Sequence, residues 1–268
     1  MARERFEKRL PPGSAREARW EAAGLRWLAA AEGEGGARTV RVLSDDSVTP
    51  TAQSKDSAEV LVLERLQTAT PTTAQIEEFG AALGRTHAAG APAFGAGPPG
   101  WDGGGYLGPA SELLPLPLEH YETWGQCYGE ARVRHTLRMA RDRGIYAETT
   151  TFDRVIERLS AGEFDDDSPP ARLHGDLWSG NLIWTPEGGT LIDPAAHGGH
   201  PLTDLAMLLL FGGEREDRVV QAYVRSHPLR EDWRDLIGLH QLHPVLLHAV
   251  LFGGGYIAQA KRLAGRYA

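Results

Sequence analysis

The stretch Leu173-His174-Gly175-Asp176-Leu177-Trp178-Ser179-Gly180-Asn181 decides how the whole sequence is interpreted. Asp176 and Asn181 are separated by four residues, and Asp193 ends a short apolar run twelve residues after Asn181. An aspartate and an asparagine at this spacing are typical of the catalytic loop of kinases, in which the aspartate is the base and the asparagine a metal ligand. The pattern therefore predicts a phosphoryl-transfer loop and a metal-binding strand over residues 174–193.

The residue types in this stretch suit phosphoryl transfer from ATP. A hydroxyl group that attacks a γ-phosphoryl group needs a carboxylate to orient it and accept its proton, and we predict that Asp176 does so. Mg²⁺ prefers oxygen ligands and takes few of them from the protein, which makes Asn181 and Asp193 the candidate metal ligands. His174 is a candidate substrate contact, although we favour a role in bracing the loop by hydrogen bonds.

Two interpretations of this stretch compete. In the simpler one, His-Gly-Asp marks an ordinary turn, Asn181 is a turn residue and Asp193 caps the end of a strand. A histidine and an aspartate alone would favour that interpretation. The asparagine at its fixed spacing, the short hairpin after it and the third carboxylate together favour the kinase interpretation.

The composition limits the possible classes of protein and the possible cellular locations. With 268 residues, 41% of them hydrophobic, the chain can bury one large core or two modest ones. Its net charge of −8 argues against nucleic-acid binding, which requires a basic surface. The single cysteine, Cys127, permits no intramolecular disulfide, and apolar runs such as Leu205 to Phe211 are too short to span a bilayer. We therefore expect a soluble cytoplasmic protein, whose oligomeric state stays open.

A small strand-rich unit is predicted at the N-terminal end. Runs rich in valine and leucine predict strands, and a helix follows the break at Pro11 to Gly13. Ser14 and Glu17 have the spacing of a capping box at the start of that helix. The polar link from Ser44 to Asp56 predicts a long hairpin loop. The expected elements are strands over 5–10, 38–43 and 58–66 and a helix over 14–31.

A larger, mostly helical unit follows. Thr72 and Gln75 form a second capping-box pattern. Residues 90–111 are dense in glycine and proline, and we favour a surface loop over a binding loop there. Pro186 and the pair Gly188-Gly189 supply the turn of a short hairpin. The expected elements are helices over 72–87, 117–143, 150–161, 201–211, 214–226 and 231–262 and strands near 182–184 and 190–192.

This order of elements predicts an α+β protein of two lobes. We expect a smaller N-terminal, nucleotide-binding lobe over residues 1–67 and a larger helical lobe with the catalytic loop over residues 68–268. The division predicts a cleft between the lobes, with a hinge near Glu64 to Thr70.

Several motifs resemble those of one known family. His174 to Asn181, Ile192 to Ala195 and the run from Gly199 to Gly213 are similar to the fructosamine kinase, or ketosamine-3-kinase, family. That family belongs to the aminoglycoside phosphotransferase and choline kinase group within the protein-kinase-like fold. Trp178-Ser179 is the discriminating part, because related sugar and aminoglycoside kinases more often have a His-Pro or similar pair there. The resemblance implies ATP- and Mg²⁺-dependent phosphorylation of the 3-hydroxyl of ketosamines, the rearranged products of sugars with amines.

The resemblance also implies nucleotide-binding residues in the smaller lobe. In the family a lysine holds the α- and β-phosphates and pairs with a helix glutamate, and Lys8 matches that lysine. Glu21 is the preferred partner because it shares a helix face with apolar residues, whereas we expect Glu17 to be engaged in capping. The alternative is that both charges are solvated at the surface. The backbone around Glu64 and Leu66 matches the hinge that contacts adenine.

One departure from the family concerns the loop over the phosphates. The family begins with two strands joined by a glycine-rich loop, whereas only seven residues precede Lys8 in this sequence. By comparison with the family, we expect roughly 20–30 residues of this lobe to be missing, judged by the size of a strand–loop–strand unit. A misassigned start, a truncated chain or a protein that lacks the loop would each explain this. We expect weaker phosphate positioning and an exposed edge on the first strand.

Residues around the catalytic stretch have less specific roles. Trp178 follows Asp176 by two residues and is well placed to form a wall of the acceptor site, core packing being the alternative. His197 and His200 are expected to order the loop, because hard Mg²⁺ disfavours imidazole ligands. Asp204 is expected to cap a helix or brace the catalytic loop.

Two other functions compete with that of a ketosamine kinase. The chain could be a kinase for another small hydroxyl substrate, such as an aminoglycoside or an amino alcohol. It could also be a non-catalytic binding protein descended from a kinase, an idea that the absent glycine-rich loop motivates. Trp178-Ser179 favours the ketosamine kinase, without indicating which sugar and amine the substrate contains.

Overall fold

The computed structural model describes residues 4–43, 49–50, 59–109 and 111–268. Near the N-terminal end, strands β1 (Arg5–Leu10), β3 (Thr49–Pro50) and β4 (Glu59–Glu64) form an antiparallel sheet in the order β1-β4-β3. In this sheet Lys8 of β1 lies opposite Leu61 of β4. Among the described residues β1 lies at one edge of the sheet. The predicted hairpin loop, Ser44 to Asp56, lies outside the described residues except for β3.

Helix α1 (Ala15–Ala29) packs on this sheet. Its apolar face buries Ala18, Ala22 and Leu25 in a small core with residues of β1 and β4. Glu21 lies on the same face and is only 8% exposed. The predicted capping box at Ser14 is wrong, because no side-chain hydrogen bond caps this helix.

The predicted strand over 38–43 is divided between two sheets. Its first part, β2 (Arg38–Thr39), pairs in parallel with β9 (Gly188–Leu191). Its second part pairs with β4, since Leu43 N donates to Val62 O and Glu64 N to Arg41 O. This segment therefore connects the N-terminal sheet to the hairpin that follows the catalytic loop. The boundary near residue 67 stays a prediction.

Helix α2 (Thr73–Ala88) begins at the predicted capping box, in which Thr72 and Gln75 bond reciprocally. It packs against α7 (Glu214–Ser226), with Gly80 and Gly84 at the closest approach. The other helices include α5 (Thr150–Ser160) and α6 (Pro201–Leu210), and α6 begins at a cap formed by the His200 side chain.

Two of the predicted helices differ from the structure. The segment 117–143 contains helix only from Trp124, after the hairpin of β5 (Gly105–Leu107) and β6 (Leu114–Leu116). It comprises α3 (Trp124–Gln126), a π-helical segment (Cys127–Arg134) and α4 (His135–Asp142). The segment 231–262 is divided into α8 (Trp233–His240), α9 (Leu242–Phe252) and α10 (Gly255–Tyr267).

The run Trp233–Phe252 is long and apolar enough to cross a membrane by length and composition. Our expectation that every apolar run is too short was therefore wrong for this run. Of its most apolar stretch, 61% is buried inside the molecule, and a buried core helix meets the same criterion. The run is weak evidence for a membrane protein.

The catalytic stretch lies between two short sheets. β7 (Ala171–Leu173) precedes it and pairs with β10 (His197–Gly199), while β8 (Leu182–Thr185) follows it and pairs with β9. Thr185 lies opposite Gly188, so the turn consists of Pro186 and Glu187. Pro186 therefore lies in the turn as predicted, whereas the prediction that the two glycines supply it was wrong, because both belong to β9.

We predict that Gly80→Ala destabilises the fold, since its Cβ would meet the Val219 carbonyl oxygen and lie 2.8 Å from the Ala222 Cβ. Overpacking of this kind costs about 1–3 kcal/mol. The matched control is Gly265→Ala on α10, where a Cβ meets nothing within 4 Å. This substitution should raise the free energy of unfolding by about 0.5–1 kcal/mol. Chemical denaturation measures both free energies of unfolding. Equal effects of the two substitutions would contradict this packing.

Candidate active site

Asp204 of α6 anchors the backbone of the catalytic stretch. Its Oδ2 accepts a hydrogen bond from the backbone N–H of His174 at 2.7 Å, and its Oδ1 accepts one from Gly175 at 2.9 Å. The His87 ring of α2 lies 3.2 Å from the same carboxylate. Burial by itself raises the pKa of Asp204, but the His87 and backbone contacts outweigh it and hold that pKa below its usual value. Asp204 therefore braces the loop as an ionised carboxylate.

His174 is a bracing residue in the structure. The backbone N–H of Asp176 donates to its Nδ1 at 3.3 Å, so Nε2 is left to donate to the Ile192 carbonyl at 2.8 Å. The residue is 1% exposed and does not line the large cavity at this site. A substrate contact by His174 is therefore not supported, because its ring is turned into the protein.

Asn181 joins the two candidate acidic residues. Its amide nitrogen donates to the Asp176 backbone oxygen at 2.8 Å and to Asp176 Oδ2 at 3.0 Å. The same nitrogen lies 3.5 Å from the Asp193 carbonyl oxygen. Because the nitrogen is engaged, the amide oxygen is the Asn181 atom that could bind a cation. The structure thus brings together all three polar residues that the spacing singled out.

Asp193 has an unusual backbone conformation. Its φ of 52° makes it the only non-glycine residue in the left-handed region among the described residues. Such conformations are sparsely populated and often occur at functional sites. The Asp193 side chain is 41% exposed and faces the cavity. The Asp193 carboxylate and the Asn181 amide oxygen are the kind of donors that suit a hard cation such as Mg²⁺.

Lys8 connects this carboxylate to the N-terminal sheet. Its ammonium nitrogen lies 2.8 Å from Glu21 Oε2 and 2.9 Å from Asp193 Oδ1. Burial by itself lowers the pKa of Lys8, but the two carboxylates outweigh it and raise that pKa. The structure therefore pairs the lysine and glutamate that the sequence analysis selected, and neither is a solvated surface charge.

Burial of the Glu21 carboxylate costs free energy. Burial raises its pKa to about 7, an effect that Asp193 reinforces and Lys8 opposes. Its Oε1 is buried without a hydrogen-bond partner in the described part of the chain. The Glu17 carboxylate, which we expected to cap α1, also has a buried, unpartnered oxygen and lines the cavity.

The surroundings of Asp176 affect its proton affinity. Burial raises the pKa of Asp176, while the nearby His174 ring, the Asn181 hydrogen bond and the His248 ring act in the opposite direction. A raised pKa strengthens a carboxylate as a proton acceptor, provided that it is still ionised at the working pH. The position and chemistry of Asp176 therefore suit a general base.

Trp178 lies at the cavity surface. Its side chain lines the cavity, and the residue is 40% exposed, so it is not a core residue. Its indole ring packs closely over Gly180, where any larger residue would collide with it. The predicted wall position is thus where the structure places the ring, and contact with a substrate stays a prediction.

Glu64 and Leu66 lie away from this cavity. Glu64 is 5% exposed, and its carboxylate accepts hydrogen bonds from Arg38 Nη2 and from the Arg41 backbone, both at 3.1 Å. Leu66 packs on the small core beneath α1. The Glu64 side chain therefore stabilises the divided segment 38–43. Contact of the backbone with adenine stays a prediction.

The cavity itself has a volume of about 570 Å³ and extends well beyond the catalytic residues. Its far end was missed by the sequence analysis, which treated residues 90–111 as a surface loop. The far end is formed by the β5–β6 hairpin and by helices α6, α9 and α10, with lining residues that include Tyr106, Leu107, Met207, Phe211, His248 and Phe252.

The histidines after the metal strand have structural roles. His197 Nδ1 bonds to the Ala195 carbonyl at 2.8 Å, and burial lowers the pKa of His197 to about 3. His200 caps α6 and lies 3.3 Å from Asp166. No group of three or more His, Cys, Asp or Glu residues suited to a metal occurs in the described part of the chain. Loop ordering is therefore the better interpretation of both.

An N-terminal sheet packed with helix α1, followed by a mostly helical lobe that carries the catalytic loop between short strands, is the arrangement of the protein-kinase-like fold. The structure superimposes on an aminoglycoside phosphotransferase in ternary complex with ADP and hygromycin B, with a TM-score of 0.55 and 15% identity. The match covers 92% of this chain and 83% of that chain. At this identity it supports the two-lobed α+β fold alone.

The chain belongs to the fructosamine kinase family. The sequence model described as fructosamine kinase matches residues 19–267. A crystal structure described as a fructosamine-3-kinase from Thermobifida fusca is 39% identical, with a TM-score of 0.80, over 98% of this chain and 85% of that chain. The resemblance seen in the catalytic stretch is therefore confirmed over most of the sequence.

Curated relatives share a shorter region. A chain named as a ketoamine kinase in Vibrio parahaemolyticus is 31% identical over 163 residues. That alignment covers 60% of this chain and 54% of the relative, so the match spans about half of the relative's length.

We predict that Glu21 makes the fold less stable as the pH rises. Its pKa is about 7 in the folded protein and 4.5 in an unperturbed chain, so the folded state binds more protons between these values. Stability should therefore fall from about pH 5 to pH 7, by up to ~3 kcal/mol from this group. Glu21→Gln should remove this contribution, and urea unfolding at several pH values measures it.

The control for this experiment is Glu157→Gln, which changes an exposed glutamate on α5. Its pH profile should follow that of the unmodified protein. A Glu21→Gln profile with the same slope as the unmodified protein would show that Glu21 is not held in a proton-binding environment.

Proposed function

We propose that the chain is an ATP-dependent kinase that phosphorylates a sugar hydroxyl of ketosamines, of the fructosamine or ribulosamine type. The observation that carries this proposal is the convergence of Asp176, Asn181, Asp193 and Lys8 at one cavity, in a member of the fructosamine kinase family. These groups provide a base, a metal site and a phosphate-binding cation. Each is a part that phosphoryl transfer requires.

Asp176 would act as the base. Its carboxylate faces the cavity and is oriented by the Asn181 amide, so a substrate hydroxyl could donate its proton there. The backbone of the loop is held by Asp204, which limits the movement of the carboxylate during the reaction. Positioning of the attacking hydroxyl then contributes much of the rate enhancement.

Lys8 would hold the α- and β-phosphates of ATP, with Glu21 keeping its ammonium in place. Asn181 and Asp193 would hold Mg²⁺ through their side-chain oxygens, and bound Mg²⁺ would neutralise charge that develops on the phosphates. In the structure Lys8 bonds to Asp193, so phosphate binding would replace or share that contact.

The acceptor and the adenine would bind on opposite sides of the phosphate- and metal-binding residues Lys8, Asn181 and Asp193. Trp178 is partly exposed beside Asp176, where its indole could stack on the sugar part of the acceptor. The backbone near Glu64 and Leu66 would contact adenine, as the family resemblance implies. We also propose that the protein acts in the cytoplasm on small molecules, without a nucleic-acid or membrane partner.

The direct test is ATP consumption with synthetic ribulosamines and fructosamines. We expect turnover that depends on Mg²⁺ and that Asp176→Asn lowers by about 10²- to 10⁴-fold, the usual contribution of a general base. Asp142→Asn, which changes an exposed aspartate on α4, is the matched control and should leave turnover intact. Circular dichroism checks that both variants fold.

Other outcomes of this assay favour the competing functions. Turnover with aminoglycosides or amino alcohols, but with no ketosamine, would indicate a different kinase. Failure to bind ATP with Mg²⁺ in calorimetry would indicate a non-catalytic binding protein. Turnover at an undiminished rate in Asp176→Asn would rule out the role proposed for this residue.

A further inference from the structure

The charges that line the large cavity are confined to one end. The charged lining residues are Lys8, Glu17, Glu21, Asp176, Asp193 and Asp204. The opposite end is lined by the β5–β6 hairpin, by Met207 and Phe211 near the C-terminal end of α6, and by helices α9 and α10. None of the described residues that these parts contribute to the lining is a lysine, arginine, aspartate or glutamate. The cavity therefore has one strongly polar end and one uncharged end.

The uncharged end contains a cluster of rings, Phe211, His248, Phe252 and Tyr256, which we call the aromatic end. The His248 ring lies at its centre, with ring centroids 5.2 Å from Phe211, 5.4 Å from Phe252 and 5.0 Å from Tyr256. These separations are typical of favourable aromatic pairs. All four residues line the cavity. The cluster is therefore a continuous surface that a ligand in the cavity could contact.

The exposure of these rings is unusual in this protein. The exposed large hydrophobic residues of the described chain are Phe6, Trp178, Phe211 and Phe252, and all but Phe6 line this cavity. Phe252 is 60% exposed at the last turn of α9. Exposed apolar side chains that gather at one concave site mark a binding surface more often than chance placement does.

The aromatic end and the base belong to one cavity. His248 and Asp176 both line it. His248 Nδ1 bonds to the Pro244 carbonyl, which fixes the ring on α9. A ligand that places a hydroxyl at Asp176 would therefore extend its other end over these rings.

We propose that the aromatic end binds the substituent on the amine of the ketosamine, and that this substituent is an apolar alkyl or aryl group. The inference rests on the proposed function. A ketosamine has a polar sugar at one end, which must place a hydroxyl at Asp176, and its amine substituent then meets the opposite end of the cavity. The polarity of the two ends matches the two ends of such a molecule.

A charged substituent fits this end poorly. The carboxylate of a glycated amino acid, or a second ammonium group, would lose part of its water against these partly exposed rings without meeting a described side chain of opposite charge. Burial of an unpaired charge is strongly unfavourable, whereas an alkyl or aryl group gains free energy by leaving water. The secondary ammonium of the ketosamine itself would lie between the ends, where aromatic faces and Asp176 can both stabilise it.

The test uses one ketose joined to different amines. We expect kcat/KM for the N-hexyl and N-benzyl ribulosamines to exceed that for the carboxymethyl and 2-aminoethyl derivatives by about tenfold or more, since one buried apolar group changes specificity by about 10- to 200-fold. Phe252→Ala and Phe211→Ala should each reduce the ratio of N-hexyl to carboxymethyl kcat/KM several-fold. Phe6→Ala removes an exposed phenylalanine that does not line the cavity and should leave this ratio unchanged.

The use of a ratio separates specificity from general damage, because a poorly folded variant loses both activities together. Equal kcat/KM for all four substrates, or a ratio that Phe252→Ala and Phe211→Ala leave unchanged, would overturn this inference while the kinase activity stands. Absence of turnover with every ketosamine, with ATP bound normally, would overturn the proposed function and this inference with it.

Discussion

The ammonium group of Lys8 lies 2.8 Å from Glu21 and 2.9 Å from Asp193, and it thereby joins three separate elements. Lys8 belongs to β1, Glu21 to α1, and Asp193 follows the hairpin of the helical lobe. A buried charge is tolerated only when it is paired, so the two carboxylates and the lysine constrain one another. The three charges therefore favour the relative position of the N-terminal sheet and the catalytic hairpin in which all of them are paired.

A second carboxylate constrains the other half of the site. Asp204 accepts hydrogen bonds from two consecutive backbone N–H groups of the catalytic stretch, and Asn181 then connects Asp176 to the Asp193 backbone. Networks of this kind are rigid when every member is satisfied. Both constraints leave the far end of the cavity to be formed by apolar and aromatic side chains, where the acceptor could be selected without disturbing the charges.

Local patterns predicted the parts that depend on local chemistry. The helical period placed Glu21 on the apolar face of α1, and the spacing of the catalytic stretch was enough to identify its polar residues. The division of residues 38–43 between two sheets could not be predicted, because both partners are distant in sequence. Glu17 matched a capping pattern, yet it lines the cavity. Phe211 and Phe252 lie far apart in the sequence, and only the packing of α6 and α9 brings them to a common surface.

The most direct measurement of the central claim, that Lys8 and Asp193 belong to one nucleotide site, is a double-mutant cycle on ATP binding. Calorimetry would give the Kd for ATP with Mg²⁺ in the unmodified protein, in Lys8→Met, in Asp193→Asn and in the double variant. We expect each single change to weaken binding by about tenfold or more, and the double change to weaken it by much less than the product, because the residues share a ligand. Unchanged affinity in Lys8→Met, or two independent effects that multiply, would contradict a shared site.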